Sequence, residues 1–214
     1  MKQIVLVLDA MGVLYKSADD VAELLVPFVT GNGGVSDPGT IRREYEEAGL
    51  GRISAAAFWR KVGVSLALED EYLARHQLAE DLPAFLRNLP EVVGSLWCLS
   101  NDVAEWSQKL RARHGLTERF SGFVISGDVG TRKPGPEIYQ SLLARVGRSA
   151  AECIFVDDSC TNLDAARALG FQTILFARAV REGISEHRIV QSFCDLAGLL
   201  NDYSPGPDRY EDPA

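Results

Sequence analysis

Short apolar runs that recur along the chain constrain its fold more than any other feature of the sequence. They are apolar without alternation, which is typical of strands covered on both faces, as in a parallel sheet. The runs are Ile4–Leu8, Ser95–Leu99, Gly122–Ile125, Cys153–Val156 and Thr173–Phe176. Helical patterns separate the later runs, with proline or glycine where helix termini favour them. The sequence therefore predicts a doubly wound α/β domain, a Rossmann-like parallel sheet with right-handed crossovers.

The segment between the first two predicted strands has a different pattern, because it is helical in period and contains no convincing strand. The helical stretches are Val21–Val29, Pro38–Ala48, Ser54–Val62 and Glu69–Ala79. Such a segment is too long for an ordinary crossover, so residues 18–83 are predicted to form an inserted all-α subdomain. Residues 1–17 and 84–200 then form the α/β core. The polar, proline-containing stretch 201–214 is expected to be a poorly ordered tail.

The charge balance of the chain narrows the classes of partner. Thirty acidic residues against 22 basic ones give a net charge of −8. This excess disfavours nucleic acid and anionic membrane surfaces as partners, whereas a small phosphorylated ligand needs only one local cation. No apolar run approaches the roughly 20 residues of a membrane span, and Ile4–Leu8 is too short for a signal peptide. We expect a cytoplasmic protein with reduced cysteines, either a monomer or a homodimer.

Polar side chains follow the predicted strands at the points where the strands end. They are Asp9, Ser100, Asn101, Lys133, Asp157 and Asp158. Ligands of open α/β sheets gather at the carboxyl ends of the strands. Any one of these residues could be an ordinary polar cap, but the set together predicts a functional site at this edge of the sheet.

Four segments that contain these residues resemble the four motifs of the haloacid dehalogenase (HAD) superfamily. They are Val7–Leu14, Leu99–Asn101, Arg132–Tyr139 and Phe155–Asp158, the last accompanied by Asn162. The inserted helical segment resembles the α-helical cap of the family's first subclass. The resemblance spans nearly the whole chain, and it implies a HAD-like core with a cap that closes over the site and selects the substrate.

The resemblance also implies which residues bind a metal ion. Asp9, Asp157 and the backbone carbonyl of Met11 would be protein ligands of an octahedral Mg²⁺, completed by waters and phosphate. Asp158 would be a further ligand, either directly or through water. Carboxylates placed close together need such a hard cation.

The same resemblance assigns roles in phosphoryl transfer. Asp9 would be the nucleophile that forms an aspartyl-phosphate, and Lys133 would neutralise charge on it and on the phosphoryl group. Ser100 and Asn101 would hydrogen-bond the phosphoryl oxygens. Arg52, in a glycine-containing turn of the insertion, would contact the remote part of the substrate; an exposed arginine that links two helices is an equal interpretation.

Met11 departs from the pattern of the family's phosphatases, which carry a second Asp at this position. That Asp would protonate the leaving group and then activate water, a contribution typically worth about 10²–10⁴-fold. Without it, breakdown of the aspartyl-phosphate is expected to be slow. The leading interpretation is a Mg²⁺-dependent phosphohydrolase of small phosphorylated metabolites.

Two alternatives stay open. One is a catalytically impaired or non-catalytic member that binds a phosphorylated ligand or a protein partner. The other is a metal-independent 2-haloacid dehalogenase, whose first motif has a similar Asp-Ala-x-Gly core. Asp157 and Asp158 weigh against the dehalogenase, because without a cation they would repel both Asp9 and an anionic substrate.

Overall fold

A six-stranded sheet forms the centre of the protein in a computed structural model that describes residues 3–178 and 186–203. Its strands are β1 (Ile4–Leu8), β2 (Val93–Ser100), β3 (Gly122–Ile125), β4 (Cys153–Asp157), β5 (Gln172–Phe176) and β6 (Arg188–Val190). All neighbouring strands are parallel, in the order β3-β2-β1-β4-β5-β6. The predicted α/β fold and its five strands are confirmed. The short edge strand β6 was missed, because Arg188 and Ile189 are exposed and give no apolar run.

Both faces of the sheet are buried, as the uninterrupted apolar runs indicate. Alternate residues of β1 point to opposite sides. Leu6 and Leu8 pack into one apolar cluster, and Val5 and Val7 pack into another. The first cluster also contains buried residues of the insertion, such as Phe28 and Trp59, and of later helices, such as Trp106 and Phe193.

The described residues between β1 and β2 form helices, joined by one isolated bridge between Tyr15 and Leu78. A helical turn, Val21–Leu25, runs directly into the first α-helix. The helices are α1 (Val26–Gly31), α2 (Pro38–Gly49), α3 (Ala55–Lys61), α4 (Glu69–Leu73) and α5 (Leu82–Arg87). Asp37 and Ser54 cap α2 and α3 as their sequence positions indicate, by accepting bonds from Thr40 N–H and Ala57 N–H.

The helix expected over Glu69–Ala79 ends early, at Leu73. The backbone beyond it bonds instead to the segment that follows β1. Lys16 N–H donates to the Gln77 carbonyl (2.9 Å), and Ala79 N–H donates to the Leu14 carbonyl (2.8 Å). These long-range bonds compete with helical ones and draw the end of the insertion back to its start.

Five further α-helices follow β2 among the residues that the structure describes. They are α6 (Ala104–Arg113), α7 (Ser126–Val129), α8 (Pro136–Val146), α9 (Cys160–Ala168) and α10 (Phe193–Asn201). The insertion packs against α6 through buried aromatic rings, because Trp106 contacts the rings of Phe58, Trp59 and Tyr72.

The expected tail begins inside the described region. Asn201 ends α10, and the Tyr203 hydroxyl accepts a hydrogen bond from Gln172 (2.6 Å). Residues 204–214, which make up the rest of that prediction, lie outside the described residues. None of the described helices combines the length and apolarity that crossing a bilayer demands.

Candidate active site

The site lies where the strand order reverses, between β1 and β4. Asp9 follows β1, and its N–H donates to the Val156 carbonyl of β4 (2.9 Å). The chain then turns sharply at Gly12, which has a φ of +75°. A Cβ atom at Gly12 would also overlap the carboxylate of Asp158. Arg178 donates to the carbonyl oxygens of Gly12 (3.2 Å) and Val13 (2.6 Å), which fixes this turn.

Lys133 joins the two strand ends. Its Nζ atom lies 2.7 Å from Asp9 Oδ1 and 2.7 Å from Asp157 Oδ2. The lysine is only 3% exposed, and its ammonium lies 5.3 Å from the centroid of the Phe155 ring. The structure therefore brings the predicted nucleophile, the predicted lysine and a predicted metal ligand into direct contact.

The pKa shifts at this contact reflect burial first and the neighbouring charges second. Burial raises the pKa of Asp9 well above its ordinary value; Lys133 opposes this shift, while Asp157 and Asp158 add to it. For Lys133, burial alone would lower the pKa, but attraction to Asp157 and Asp9 outweighs it and the net shift is upward. Lys133 therefore stays charged between Asp9 and Asp157, and Asp158 adds a third negative charge close to Asp9.

The three acids form a cluster with the dimensions of a metal site. One carboxylate oxygen from each of Asp9, Asp157 and Asp158 lies within 4.8 Å of the others. Asp157 is further held by the Ser159 N–H (2.8 Å) and the Asn162 amide (3.1 Å). Oxygen-only ligands in this number suit a hard divalent cation such as Mg²⁺. Met11 lines the same cleft with an extended backbone, φ −71° and ψ 137°.

Ser100 and Asn101 differ in their hydrogen-bond partners. The Ser100 hydroxyl is buried and has no hydrogen-bond partner among the described residues. The Asn101 side chain is engaged with the backbone of Lys133: its Oδ1 accepts from the N–H (2.8 Å) and its Nδ2 donates to the carbonyl (3.0 Å). Ser100 is thus available to a ligand, whereas Asn101 holds the lysine loop in place.

The site opens into a cleft of about 210 Å³ that the insertion helps to line. The insertion contributes Asp19, Asp20, Arg42 and Tyr45. Arg52 is not in this lining; it pairs with Glu47 at 2.7 Å on the surface of the insertion.

Sequence reasoning missed the contribution of Asp20 and Tyr45. Asp20 stands at the start of a helical pattern, where an acid is ordinarily interpreted as a cap. Tyr45 falls on the apolar side of α2, where an aromatic residue is ordinarily interpreted as core. Only the fold brings them to the same cleft as Asp9.

Comparison with known proteins finds a family model and individual proteins that resemble this sequence. A sequence model described as haloacid dehalogenase-like hydrolase matches residues 5–170. Sesquiterpene phosphatase astK of Aspergillus oryzae is 30% identical over 154 residues, which span 67% of this chain and 79% of that protein.

Solved structures agree with the fold. An L-2-haloacid dehalogenase from Xanthobacter autotrophicus, with chloropropionic acid covalently bound, has a TM-score of 0.69 at 19% identity, covering 94% of this chain and all of that one. A HAD phosphatase from Thermococcus onnurineus has a TM-score of 0.70 at 19% identity, covering 94% and 98%. Since phosphatase and dehalogenase match equally well, the backbone does not distinguish their chemistries.

Proposed function

This chain belongs to the haloacid dehalogenase-like hydrolases, and we propose that it is a Mg²⁺-dependent phosphohydrolase of a small phosphorylated metabolite. The observation that supports this most is the cluster of Asp9, Asp157 and Asp158. One carboxylate oxygen of each acid lies within 4.8 Å of the others, and Lys133 contacts both Asp9 and Asp157. Carboxylates in such number favour a bound divalent cation, and a cation beside a nucleophile favours a phosphate substrate.

The residues present fit a magnesium ion. Asp9, Asp157, Asp158 and the carbonyl of Met11 would hold it, and when bound it would neutralise charge on the phosphoryl oxygens.

The protein's own groups then account for the transfer. A carboxylate oxygen of Asp9 attacks phosphorus, and the bond from phosphorus to the leaving oxygen breaks. Lys133 stabilises negative charge on the nucleophile and on the phosphoryl group, and Ser100 donates its free hydroxyl to a phosphoryl oxygen. Asn101 contributes indirectly, by fixing the backbone of Lys133.

The insertion acts as a cap in this proposal. It supplies Arg42 and Tyr45 to the cleft, while the core supplies Arg132. Arg42 pairs with Asp19 at 2.9 Å, and Arg132 lies 3.7 Å from Glu46. Because Arg42 and Arg132 line the cleft and Arg52 does not, we propose that these two arginines contact the remote part of a substrate.

The first test is a phosphate-release screen of phosphorylated metabolites with Mg²⁺, repeated with EDTA. We expect release that requires Mg²⁺ and is lost in Asp9→Asn. Calorimetric titration should show weaker Mg²⁺ binding in Asp158→Asn. Asp70→Asn is the matched control for charge, because Asp70 lies outside the cleft and is largely exposed.

The same screen discriminates among the alternatives. Phosphate binding with no turnover of any metabolite would indicate a non-catalytic binding protein. Halide release from a 2-haloacid in EDTA would indicate a dehalogenase. Undiminished Mg²⁺ affinity in Asp158→Asn would contradict the proposed ligand set.

A further inference from the structure

The proposed reaction needs a group that moves protons, and Met11 cannot be that group. Water must lose a proton as it attacks the aspartyl-phosphate, whatever the first leaving group was. The cleft contains other acids besides Asp9 and Asp158. Asp19 pairs with Arg42 through Oδ2 (2.9 Å) and accepts the Ala22 N–H through Oδ1 (3.1 Å). Asp20 is the remaining candidate in the lining.

Asp20 is a buried carboxylate that the fold does not use. It is 6% exposed and precedes the helical turn Val21–Leu25, yet its side chain makes no capping hydrogen bond. Within residues 3–178 and 186–203, its carboxylate pairs with His76, whose Nε2 lies 3.7 Å from Asp20 Oδ2. Because Asp20 also lines the cleft, its carboxylate is accessible to a substrate or a water molecule there.

The groups around Asp20 can also exchange or share protons. His76 is buried, and its Nδ1 atom has no partner in the described part of the chain; the same holds for the hydroxyl of Tyr72. The rings of Tyr72 and His76 meet edge to face at 5.0 Å. Tyr45 and Asp102 are the other titratable groups whose charges interact with that of Asp20, and Tyr45 lies on the cleft.

We propose that Asp20 performs the proton transfers of the hydrolysis in place of an acid at position 11, with His76 as its positioning residue. This inference rests on the proposed function. It assigns a catalytic role to the insertion, beyond closing the cleft.

The proposed reaction has two steps, transfer of the phosphoryl group to Asp9 and its hydrolysis. Asp9 attacks phosphorus, the bond to the leaving oxygen breaks, and that oxygen takes the proton of the Asp20 carboxyl group to leave as an alcohol. Water then attacks the aspartyl-phosphate while the Asp20 carboxylate accepts one of its protons. The bond from phosphorus to Asp9 breaks, which frees phosphate, restores the Asp9 carboxylate and leaves Asp20 protonated again.

The test compares the full-length wild type with Asp20→Asn on p-nitrophenyl phosphate in Mg²⁺. Nitrophenolate leaves without a proton, so Asp20→Asn should release about one equivalent in a burst. Steady turnover should then fall by about 10²–10⁴-fold, the usual contribution of general acid–base catalysis. Intact-protein mass spectrometry should show phosphorylated Asp9 accumulating in the variant and not in the wild type. Asp70→Asn should behave as the wild type does.

A double variant separates catalysis from folding. Met11→Asp introduced into Asp20→Asn should restore turnover and remove the burst, which repair of a misfolded protein would not do. His76→Gln should shift the pH profile of kcat while retaining phosphorylation of Asp9.

Two results would overturn the role of Asp20: wild-type turnover without a burst in Asp20→Asn, or accumulation of phosphorylated Asp9 in the wild type itself. Absence of both turnover and Asp9 phosphorylation from the wild type and from Asp20→Asn would overturn the proposed function, and this inference with it.

Discussion

Glu69 and Asp9 are both buried acids, 4% and 7% exposed, but their surroundings differ in one respect. Each oxygen of Glu69 has a donor: Oε2 accepts the indole N–H groups of Trp59 and Trp106 at 2.8 Å each, and Oε1 lies 2.6 Å from Lys109 Nζ. Asp9 shares its one lysine with Asp157 and also faces Asp158. A buried acid whose acceptors are all filled stabilises the fold, whereas one with surplus like charge around it is suited to a ligand.

The difference extends to the neighbouring polar groups. Glu69 connects α4 to α6, and every group in that contact comes from the protein itself. Beside Asp9, the Ser100 hydroxyl is buried with no described partner. The contact at Glu69 is complete within the protein, whereas the Ser100 hydroxyl beside Asp9 remains available to the proposed ligand.

The largest effect is expected from Asp9→Asn, which should abolish most of the activity and at the same time raise the stability of the fold. Turnover should fall by several orders of magnitude, since the proposed nucleophile is lost. The free energy of unfolding at neutral pH in EDTA should rise, because the ionised Asp9 carboxylate is disfavoured by burial and by two like charges. Phosphate release and denaturant titration measure the two effects. A loss of stability in this variant would show that the Lys133 contact outweighs the charge excess.

Glu69→Ala should lower the stability of the fold and leave most of the activity. It leaves two buried indole N–H groups without an acceptor, and each such group costs about 1–3 kcal/mol. We therefore expect the free energy of unfolding to fall by about 2–5 kcal/mol, with a much smaller change in kcat than Asp9→Asn causes.

Asp70→Asn is the matched control for Glu69, because Asp70 reaches the same Lys109 at 3.4 Å but is largely exposed. It should change stability by less than about 0.5 kcal/mol. Equal losses from the two substitutions, measured by denaturant titration, would mean that the indole bonds of Glu69 contribute little.

Asp102 combines features of both sites, and its effect on stability should depend on pH. It is buried next to Asn101, and one oxygen accepts the Val103 N–H at 2.7 Å. Burial raises the pKa of Asp102, the charge of Asp20 adds to the shift, and the Val103 bond opposes it.

A raised pKa in the folded state means that the folded protein binds the Asp102 proton more tightly than the unfolded chain does. The wild type should therefore lose stability as pH rises from about 4, the ordinary pKa range of Asp. Asp102→Asn keeps an acceptor for Val103 and should not share this loss, so its stability advantage should grow with pH. Denaturant midpoints measured across the pH range test this, and a constant difference between the proteins would contradict it.

The fold could be predicted from the sequence, and so could the part of the site that lies at the strand ends, because both depend on local sequence patterns. Apolar runs mark the strands, and the residues that follow them lie at one edge of the sheet wherever the strands are parallel. This is why Asp9, Ser100, Lys133 and Asp157 meet as expected. The same reasoning fails for the three-residue edge strand β6, whose exposed residues leave no apolar run.

The rest of the site depends on how the insertion sits on the core, which no local pattern encodes. Asp20 and His76 are 56 positions apart and meet only after the end of the insertion has bonded back to its start. For the same reason Arg52, chosen for its glycine-containing turn, pairs with Glu47, while Arg42 reaches the cleft.

The close approach of Gly12 and Asp158 restricts how this sequence can diverge. Any side chain at position 12 would meet the Asp158 carboxylate, and the left-handed φ of Gly12 would be strained for that side chain as well. A shorter residue at position 158 would relieve the first conflict and leave the second. In a mutational library, position 12 should therefore stay glycine even in backgrounds that have lost Asp158. Relatives that lose the proposed reaction should still keep this glycine, because the backbone conformation requires it.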